Sequence, residues 1–369
     1  MGRIPSACPL GRVVRGRGRG HQGWAGSIPH FGTCYKGHLH HVLALRFVLF
    51  CRFGLEGLSV RVAVVGAGLA GLACAEGLAA AGHGVTLLDK GRGPGGRMST
   101  RRTPEGWAFD HGAPWFAARD ADFCAALADW EEQGLAARWP DVAGELWVGV
   151  PGMNALVAHL AGRHAVEFGV QVSALVRAGQ GWMIHAGQRA LGPFDAVVLA
   201  IPAEQAALLA GLHDFAMGRA AVQVASLPCW TGLFGFDEAL GGADVIRDTG
   251  AIHVALRNGG KPGRGAKEAW VVHASQAWSQ SHLEMDKEAV APLLLAELAQ
   301  GLGRDLPVPG VSMAHRWRFA MPRAGHGGVA GRALWNAQMR LGACGDWLAG
   351  SGVEAAWLSG RALAGLIAG

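Results

Sequence analysis

The chain has 369 residues, which is long enough for two domains and a sizeable core. Hydrophobic residues make up 50% and charged residues 17%, which favours a globular α/β protein rich in Ala and Gly. The net charge of +5 comes from residues 1–59, which contain many Arg and Lys but a single acid, Glu56. The other residues show no general nucleic-acid signature, and no apolar run approaches the roughly 20 residues of a membrane span. Neither nucleic acid nor membrane is therefore an expected partner.

Residues 1–59 lack the features of a folded segment. They contain the run RGRGRG, a His-rich patch and a short apolar run that Arg46 interrupts. A signal peptide needs an unbroken apolar region and a small-residue cleavage site, and a transit peptide needs more Ser. We expect a disordered leader, arising from an over-extended start, with the protein beginning near Ser59 or Val60. An RNA-binding Gly/Arg tail is the alternative.

The stretch from Arg61 to Asp89 has the order of a dinucleotide-binding unit. An apolar run (62–65) predicts a buried parallel strand, and an Ala- and Leu-rich pattern (72–81) predicts a helix. A second apolar run (85–88) predicts the next strand, which ends on Asp89. Strand, glycines, helix, strand and acid in this register favour a bound dinucleotide over a glycine turn without a ligand.

The three glycines between the first strand and the helix have separate mechanical roles. Gly66 permits a tight turn, Gly68 lets a pyrophosphate approach the backbone, and Gly71 lets helix and strand pack closely. The helix N-terminus offers free N–H groups to phosphates, and the Asp89 carboxylate can accept hydrogen bonds from a ribose. The predicted cofactor contacts of this unit are Gly66, Ala67, Gly68, Leu69, Ala70, Gly71 and Asp89.

A second glycine-rich loop follows Asp89, with arginines on both sides of Gly95 and Gly96, and forms another anion-binding loop. The order GxGxxG, terminal acid and RxxGGRxxT resembles the flavoprotein family of amine oxidases, phytoene desaturases and renalases. The resemblance implies noncovalently bound FAD with its adenosine ribose on Asp89 and Val172 near the adenine. The further cofactor contacts it implies are Lys90, Arg92, Gly95, Gly96, Arg97, Met98 and Gly112.

The C-terminal segment has the glycine pattern of a third backbone-donor site. A strand ends in Gly345-Asp346, and Gly352 precedes a helix that begins at Val353. The resemblance implies that Asp346 meets the ribityl or phosphate region and that the first helical amide, at Val353, faces the flavin C2 carbonyl. Cys344 is the only cysteine here, and its place in a buried strand favours a noncovalent cofactor.

Two discontinuous domains are expected. Residues 60–105, 150–205 and 335–369 predict an FAD-binding domain with a Rossmann-type parallel sheet, which includes an apolar strand at 194–202. Residues 106–149 and 206–334 predict an α+β substrate domain with an antiparallel sheet. Within these domains, the patterns predict helices at 121–132 and 287–302 and strands at 231–236 and 269–274.

The aromatic residues set this chain apart from the amine oxidases. Those enzymes commonly frame their substrate with two aromatic rings, frequently Tyr, whereas the only tyrosine here is Tyr35, in the leader. Tryptophans could replace them, and two histidines could hydrogen-bond a substrate carboxamide or ribose, although satisfied structural histidines are an equal alternative. The pocket candidates are His273, Trp278, His282, Trp317 and Trp335, and no catalytic acid or base is predicted.

Four segments (228–236, 257–264, 270–284 and 315–322) resemble bacterial renalase-type proteins more closely than amine oxidases. This resemblance implies an oxidase that takes a hydride from 2- or 6-dihydro isomers of NAD(P)H onto flavin N5. O2 is then reduced, and NAD(P)+ and H2O2 are the products. No general base is required, because the nicotinamide ring becomes aromatic. A small-amine oxidase and a non-catalytic flavin-binding redox module stay open as alternatives.

The loop RNGGKPGR (257–264) predicts a substrate phosphate site, because its glycines leave N–H groups accessible beside Lys261 and Arg264. A solvated basic loop is the alternative. Arg316 and Arg318 are two residues apart and would share one face of a strand. No group of His, Cys or carboxylate residues has metal-site spacing. The cysteines lack a CxxC pair, which favours reduced thiols and a cytoplasmic protein.

Overall fold

The computed structural model describes residues 59–140, 144–323 and 331–369, so the predicted leader up to residue 58 lies outside the described residues. The strands of the described residues are β1 (Arg61–Val65), β2 (Gly84–Asp89), β3 (Thr100–Arg102), β4 (Ala108–Asp110), β5 (Ala136–Arg138), β6 (Trp147–Gly149), β7 (Ala165–Phe168), β8 (Ala174–Ala178), β9 (Gly181–Ala186), β10 (Arg189–Phe194), β11 (Ala196–Leu199), β12 (Ser226–Phe236), β13 (Val245–Thr249), β14 (Ile252–Arg257), β15 (Glu268–Ala274), β16 (Val311–Pro322), β17 (Leu334–Asn336) and β18 (Leu341–Ala343).

The α-helices of the same residues lie between or after these strands, and both 16-residue helices follow β15. They are α1 (Leu69–Ala80), α2 (Ala121–Glu132), α3 (Ala155–Ala161), α4 (Ala203–Ala210), α5 (Phe215–Val222), α6 (Gln276–Ser281), α7 (Lys287–Leu302), α8 (Asp346–Ala349) and α9 (Val353–Ala368). None of these helices combines the length and apolar character that a membrane crossing requires.

A six-stranded sheet forms the first layer, in the order β17-β18-β11-β1-β2-β7. All its pairs are parallel except β17 with β18 at one edge. The central strand β1 is completely buried from Val62 to Val64, because helices cover the sheet. This arrangement confirms the expected Rossmann-type fold class.

Helices α1 and α9 pack against each other beside this sheet. Their approach is close because a Cβ at Gly360 would lie 2.1 Å from the Ala70 carbonyl oxygen. A larger residue at Gly360 would therefore separate the first and last cofactor segments of the chain. The small residues of these helices thus have a packing role.

A five-stranded antiparallel sheet forms the second layer, in the order β13-β14-β15-β12-β16. Helix α7 covers one face, where Leu294 and Leu298 pack with Trp230, Phe234 and Trp270 in a common buried cluster. The expected antiparallel sheet is thereby confirmed, and its role in a substrate domain stays a prediction. The strands of the two sheets come from the segments of the two predicted domains, although the division into domains itself stays a prediction.

Three small antiparallel sheets complete the strands of the described residues: β8 with β9 and β10, β3 with β4, and β5 with β6. The β3–β4 pair matters most for the site, because it follows the second glycine loop and contacts β15 of the large antiparallel sheet. It connects the loop that is expected to bind anions to the expected substrate sheet.

Candidate functional site

The turn between β1 and α1 requires glycine at two positions. Gly66 has a φ of +103°, and a Cβ there would lie 2.4 Å from the Ala200 carbonyl oxygen. A Cβ at Gly71 would lie 2.0 Å from the Gly66 carbonyl oxygen. At Gly68, in contrast, a Cβ would meet no atom within 4 Å. The protein therefore leaves open space where a ligand pyrophosphate is expected to approach the backbone.

The Asp89 carboxylate is tied to the backbone on both sides. One oxygen accepts a hydrogen bond from the Ala67 N–H at 2.7 Å, and the other accepts one from the Gly91 N–H at 2.6 Å. Asp89 therefore joins the first glycine turn to the start of the second loop. Its side chain also lines the central cavity, so its role as a ribose ligand stays a proposal.

The second loop is joined to the C-terminal segment by an ion pair. The Arg97 guanidinium donates to both carboxylate oxygens of Asp346, at 2.8 and 2.7 Å, and Asp346 is 4% exposed. The Arg97 carbonyl oxygen lies so close to Gly112 that a Cβ there would be 2.0 Å away. Three separate parts of the chain thus converge at one place.

The last segment supplies a helix N-terminus. Gly352 has a φ of +100° and directly precedes α9, whose first amide is that of Val353. The Gly345 N–H donates to Ser359 Oγ at 2.8 Å, which fixes the preceding turn against the same helix. Cys344 is fully buried, in agreement with a thiol that is not attached to a cofactor.

A cavity of about 2220 Å³ runs along all of these segments. Two predicted contacts, Ala67 and Gly71, lie outside its lining. The Ala67 N–H donates to Asp89, and Gly71 packs against the Gly66 carbonyl oxygen in the turn. The other predicted cofactor contacts line the cavity: Gly66, Gly68, Leu69, Ala70, Asp89, Lys90, Arg92, Gly95, Gly96, Arg97, Met98, Gly112, Val172, Gly345, Asp346, Gly352 and Val353.

These residues fit the expected FAD. The cavity exceeds the roughly 300–1,000 Å³ of an ordinary small-molecule pocket, so a dinucleotide cofactor leaves room for a substrate. The N-termini of α1 and α9 provide free backbone N–H groups, and the open space at Gly68 allows close approach. Their assignment to particular cofactor atoms stays a proposal.

Besides the exposed His253, three histidines form a second, chemically different part of the wall: His111, His273 and His315. The rings of His111 and His315 meet edge to face at 4.9 Å, and His315 lies 4.5 Å from the Trp317 ring. Burial lowers the pKa of His273 to about 3 and that of His315 to about 4. Burial, together with the charges of His315 and Arg101, lowers the pKa of His111 to about 4. All three rings are therefore neutral at pH 7.

Two of these neutral rings carry nitrogens that could bind a substrate. His111 Nδ1 and His273 Nε2 are buried, and neither has a hydrogen-bond partner in the described structure. The other nitrogen of His273 lies 3.2 Å from Thr231 Oγ1, which orients the ring. A neutral imidazole offers one donor and one acceptor and carries no charge, so these rings add polar groups but no positive charge to the wall.

The structure brings only part of the predicted pocket together. His273 and Trp317 line the cavity, and Trp317 Nε1 donates to the His111 carbonyl oxygen at 2.8 Å. Trp278 and His282 lie outside the lining and stack on each other at 3.9 Å, and Trp335 on the edge strand β17 is also outside. These three are therefore not retained as pocket residues.

The predicted phosphate site at Lys261 and Arg264 is also corrected. The Lys261 ammonium is completely buried and lies 3.2 Å from an Asp110 carboxylate oxygen, and the Arg264 side chain is 3% exposed and pairs with the same oxygen at 2.5 Å. Neither residue lines the cavity. Both cations neutralise a buried carboxylate instead of facing a substrate. Arg316 and Arg318 do share a face, since both contact Glu284.

Several cavity residues were not predicted from the sequence, among them Arg101, His111 and His315. His315 and Trp317 are two residues apart on β16, so the alternation of a strand places both on one face, and that signal was available. Arg101 follows the glycine loop directly, but nothing in its local sequence separates it from neighbouring arginines. Among the described residues, no group of His, Cys, Asp and Glu has an arrangement that could hold a metal ion.

Two family models match the chain. One, for an NAD(P)-binding Rossmann-like domain, covers residues 64–128, and the other, for flavin-containing amine oxidoreductases, covers residues 135–368. An L-amino-acid oxidase of Notechis scutatus scutatus is 48% identical over 69 residues, which are 18% of this chain and 13% of that protein. The 4,4'-diapophytoene desaturase of Staphylococcus haemolyticus is 53% identical over 51 residues, 14% of this chain and 10% of the desaturase. The chain thus spans a small fraction of these curated relatives.

Solved structures agree in fold over a much larger part of the chain. Cyclohexylamine oxidase from Brevibacterium oxydans superposes with a TM-score of 0.62 at 13% identity, covering 84% of this chain and 99% of the oxidase. Putrescine oxidase bound to putrescine gives a TM-score of 0.65 at 15% identity, covering 84% and 99%. At such low identity this likeness shows a shared fold and says nothing of the substrate.

Proposed function

Because the chain belongs to the flavin-containing amine oxidoreductases, we propose that it is an FAD-dependent oxidase of isomeric dihydronicotinamide dinucleotides. The substrates are 2- or 6-dihydro isomers of NAD(P)H. Substrate, one proton and O2 give NAD(P)+ and H2O2, so electrons and atoms balance. The family assignment confirms the FAD cofactor expected from the sequence, whereas the substrate rests on the resemblance to renalase-type proteins and on the cavity wall.

The charge of the cavity wall is the observation that carries this proposal. An amine is a cation at neutral pH and is attracted by a free carboxylate. The three carboxylates of the lining are all engaged: Asp89 with backbone N–H groups, Asp346 with Arg97, and Glu354 with the N–H groups of Arg119 and Asp120. Arg residues outnumber these carboxylates in the wall even when the expected FAD contacts Lys90, Arg92 and Arg97 are left out, which favours an anionic substrate.

The residues of this chain have binding and orienting roles in the proposed reaction. When bound, FAD accepts a hydride and passes the electrons to O2. The neutral rings of His111 and His273 line the wall, and Trp317 supplies an aromatic surface for the substrate. No residue needs to remove a proton, because loss of hydride restores an aromatic ring. Catalysis then depends on holding the two rings together.

A small-amine oxidase is the second candidate, since the matching family model is that of flavin-containing amine oxidoreductases. The described cavity lacks the feature that an amine requires most, a carboxylate free to pair with it. A flavin-binding module without turnover is the third candidate.

The pH dependence of flavin reduction is expected to separate the candidates. The pKa values of the three wall histidines lie well below pH 6: about 4 for His111, about 3 for His273 and about 4 for His315. All three rings therefore stay neutral above pH 6. The rate of anaerobic flavin reduction by a dihydronicotinamide isomer should therefore change less than about twofold between about pH 6 and about pH 7.5. The pH range from about 6 to about 7.5 also lies below the pKa of Lys261, which burial lowers to about 8, so most of this ammonium keeps its proton.

An amine gives the opposite result, because only the free base transfers a hydride and alkylamines have a pKa near 10.4. Reduction by putrescine or cyclohexylamine should then rise about tenfold per pH unit across the same range. Rapid amine-dependent reduction with that slope would replace the proposed function by the second candidate. Stopped-flow absorbance of the flavin measures both reactions in one experiment.

A further inference from the structure

Arg101 is the half-buried cation of the cavity wall that lacks a partner. It lies on β3 and lines the cavity, and its guanidinium has neither a hydrogen bond nor an ion pair within the described parts of the chain. The other half-buried arginines of the wall are engaged: Arg97 pairs with Asp346, and Arg316 contacts Glu284 and the Leu283 carbonyl oxygen. An arginine that is partly withdrawn from water and unpaired is a natural ligand for an anion.

The charge of Arg101 acts on the histidine wall. Besides burial, its positive charge lowers the pKa of both His111 and His315. The pairing of β3 with β4 sets Arg101 opposite Phe109, two residues before His111, and all of Arg101, His111 and His315 line the same cavity. The charge of Asp110 acts on the pKa of His111 in the opposite direction, but Lys261 and Arg264 already neutralise this carboxylate. A net positive potential is therefore left at this wall.

We propose that Arg101 is the anion-binding subsite of the substrate pocket, where it holds a phosphate of the substrate and repels ammonium ions. The inference rests on the proposed function for the identity of the substrate. The phosphate site is thereby assigned to Arg101, which lines the cavity, and no longer to the buried residues Lys261 and Arg264. The planar guanidinium suits a phosphate because it can donate two parallel hydrogen bonds, which a lysine cannot reproduce.

The test uses the FAD-loaded protein and three variants. Arg101→Gln removes the charge, and Arg101→Lys keeps it without the two parallel donors. Arg189→Gln is the matched control, because Arg189 forms a surface ion pair with Glu167 and lies outside the cavity lining. Inorganic pyrophosphate is titrated by calorimetry, and nicotinamide mononucleotide and nicotinamide riboside are titrated by the change in flavin absorbance.

Arg101→Gln is expected to weaken the binding of pyrophosphate and of the mononucleotide about tenfold or more. Binding of the riboside, which has no phosphate, should change less than about twofold. Arg101→Lys should give an intermediate loss, and Arg189→Gln should behave as wild type. Wild-type protein that does not bind pyrophosphate overturns the subsite, and so does equal weakening of the mononucleotide and the riboside. Loss of FAD from Arg101→Gln overturns it too, because Arg101 would then be a cofactor ligand.

Failure of the proposed function gives a different result. If the wild type binds pyrophosphate in an Arg101-dependent way but oxidises no dihydronicotinamide isomer, the subsite stands and the reaction is wrong. If the isomers are oxidised and their KM is unchanged in Arg101→Gln, the reaction stands and the subsite is wrong.

Discussion

Asp110→Asn is expected to lower the free energy of unfolding by about 3–5 kcal/mol, because it leaves two buried cations without their counter-ion. Asp110 is completely buried, and its carboxylate binds Lys261, Arg264, Thr100 Oγ1 and the Met153 N–H. Asn removes the charge, and its single acceptor oxygen can serve only one of the two pairs of donors, on Oδ1 or on Oδ2. Urea unfolding at one fixed FAD concentration measures the effect.

Asp248→Asn is the matched control, since the Asp248 side chain is 76% exposed and its pairing with His253 should be worth less than about 1 kcal/mol. The double variant Asp110→Asn with Lys261→Met should recover part of the loss, because it removes one of the two unpaired cations. A loss below about 1 kcal/mol for Asp110→Asn would show that the cluster is not a structural centre.

The same cluster predicts a loss of stability in acid. Burial alone would raise the pKa of Asp110, but the charges of Lys261 and Arg264 and the Met153 N–H outweigh it and hold the pKa well below its ordinary value. The charged form therefore stabilises the folded state above the unfolded pKa of about 4, and this contribution is lost as the pH falls below it. The stability of Asp110→Asn should fall less steeply with acid than that of wild type.

Gly71→Ala is expected to disrupt the cofactor domain, with a loss of about 3 kcal/mol in stability and of most bound FAD. Its Cβ would lie 2.0 Å from the Gly66 carbonyl oxygen, so α1 must move away from the turn. The Gly66 carbonyl oxygen is a backbone atom and the position of a Cβ is fixed by the backbone, so no rotamer change can relieve the contact. Thermal unfolding of FAD-free protein and the visible absorbance of purified protein measure the two effects.

Gly68→Ala separates packing from ligand contact. A Cβ at Gly68 meets no protein atom within 4 Å, so the FAD-free variant should unfold within about 0.5 kcal/mol of wild type. If a phosphate of FAD lies against this position, the affinity for FAD should nevertheless fall at least about tenfold. Unchanged FAD affinity would place the pyrophosphate elsewhere in the cavity.

Local patterns in the sequence predict much of the fold. Helices α2 and α7 have the predicted bounds, and β1, β2 and β11 lie where apolar runs indicated. The predicted strand at 231–236 begins earlier in the structure, at Ser226, because its pairing with β16 continues to Pro322. Partners so far apart in the chain leave no local pattern, which explains the error.

The candidate site likewise contains residues that local patterns predict and residues whose contacts depend on distant parts of the chain. Most of the predicted cofactor residues line one cavity, because they belong to glycine turns and helix N-termini that short segments encode, and their contacts with FAD stay a prediction. The wrong reading of Lys261 had a long-range cause, since its partner Asp110 is 151 residues away. Trp278 and His282 could have been read correctly, because residues four apart on a helical turn face each other and can stack.

The central claim is the nature of the reductant, and anaerobic mixing of the FAD-loaded protein with candidate reductants tests it most directly. We expect a 2- or 6-dihydro isomer of NAD(P)H to bleach the flavin absorbance within seconds. Putrescine and cyclohexylamine should react at least about a hundredfold more slowly, because the wall leaves no carboxylate free for a cation. Faster reduction by an amine, or no reduction by any dihydronicotinamide isomer, would contradict the account.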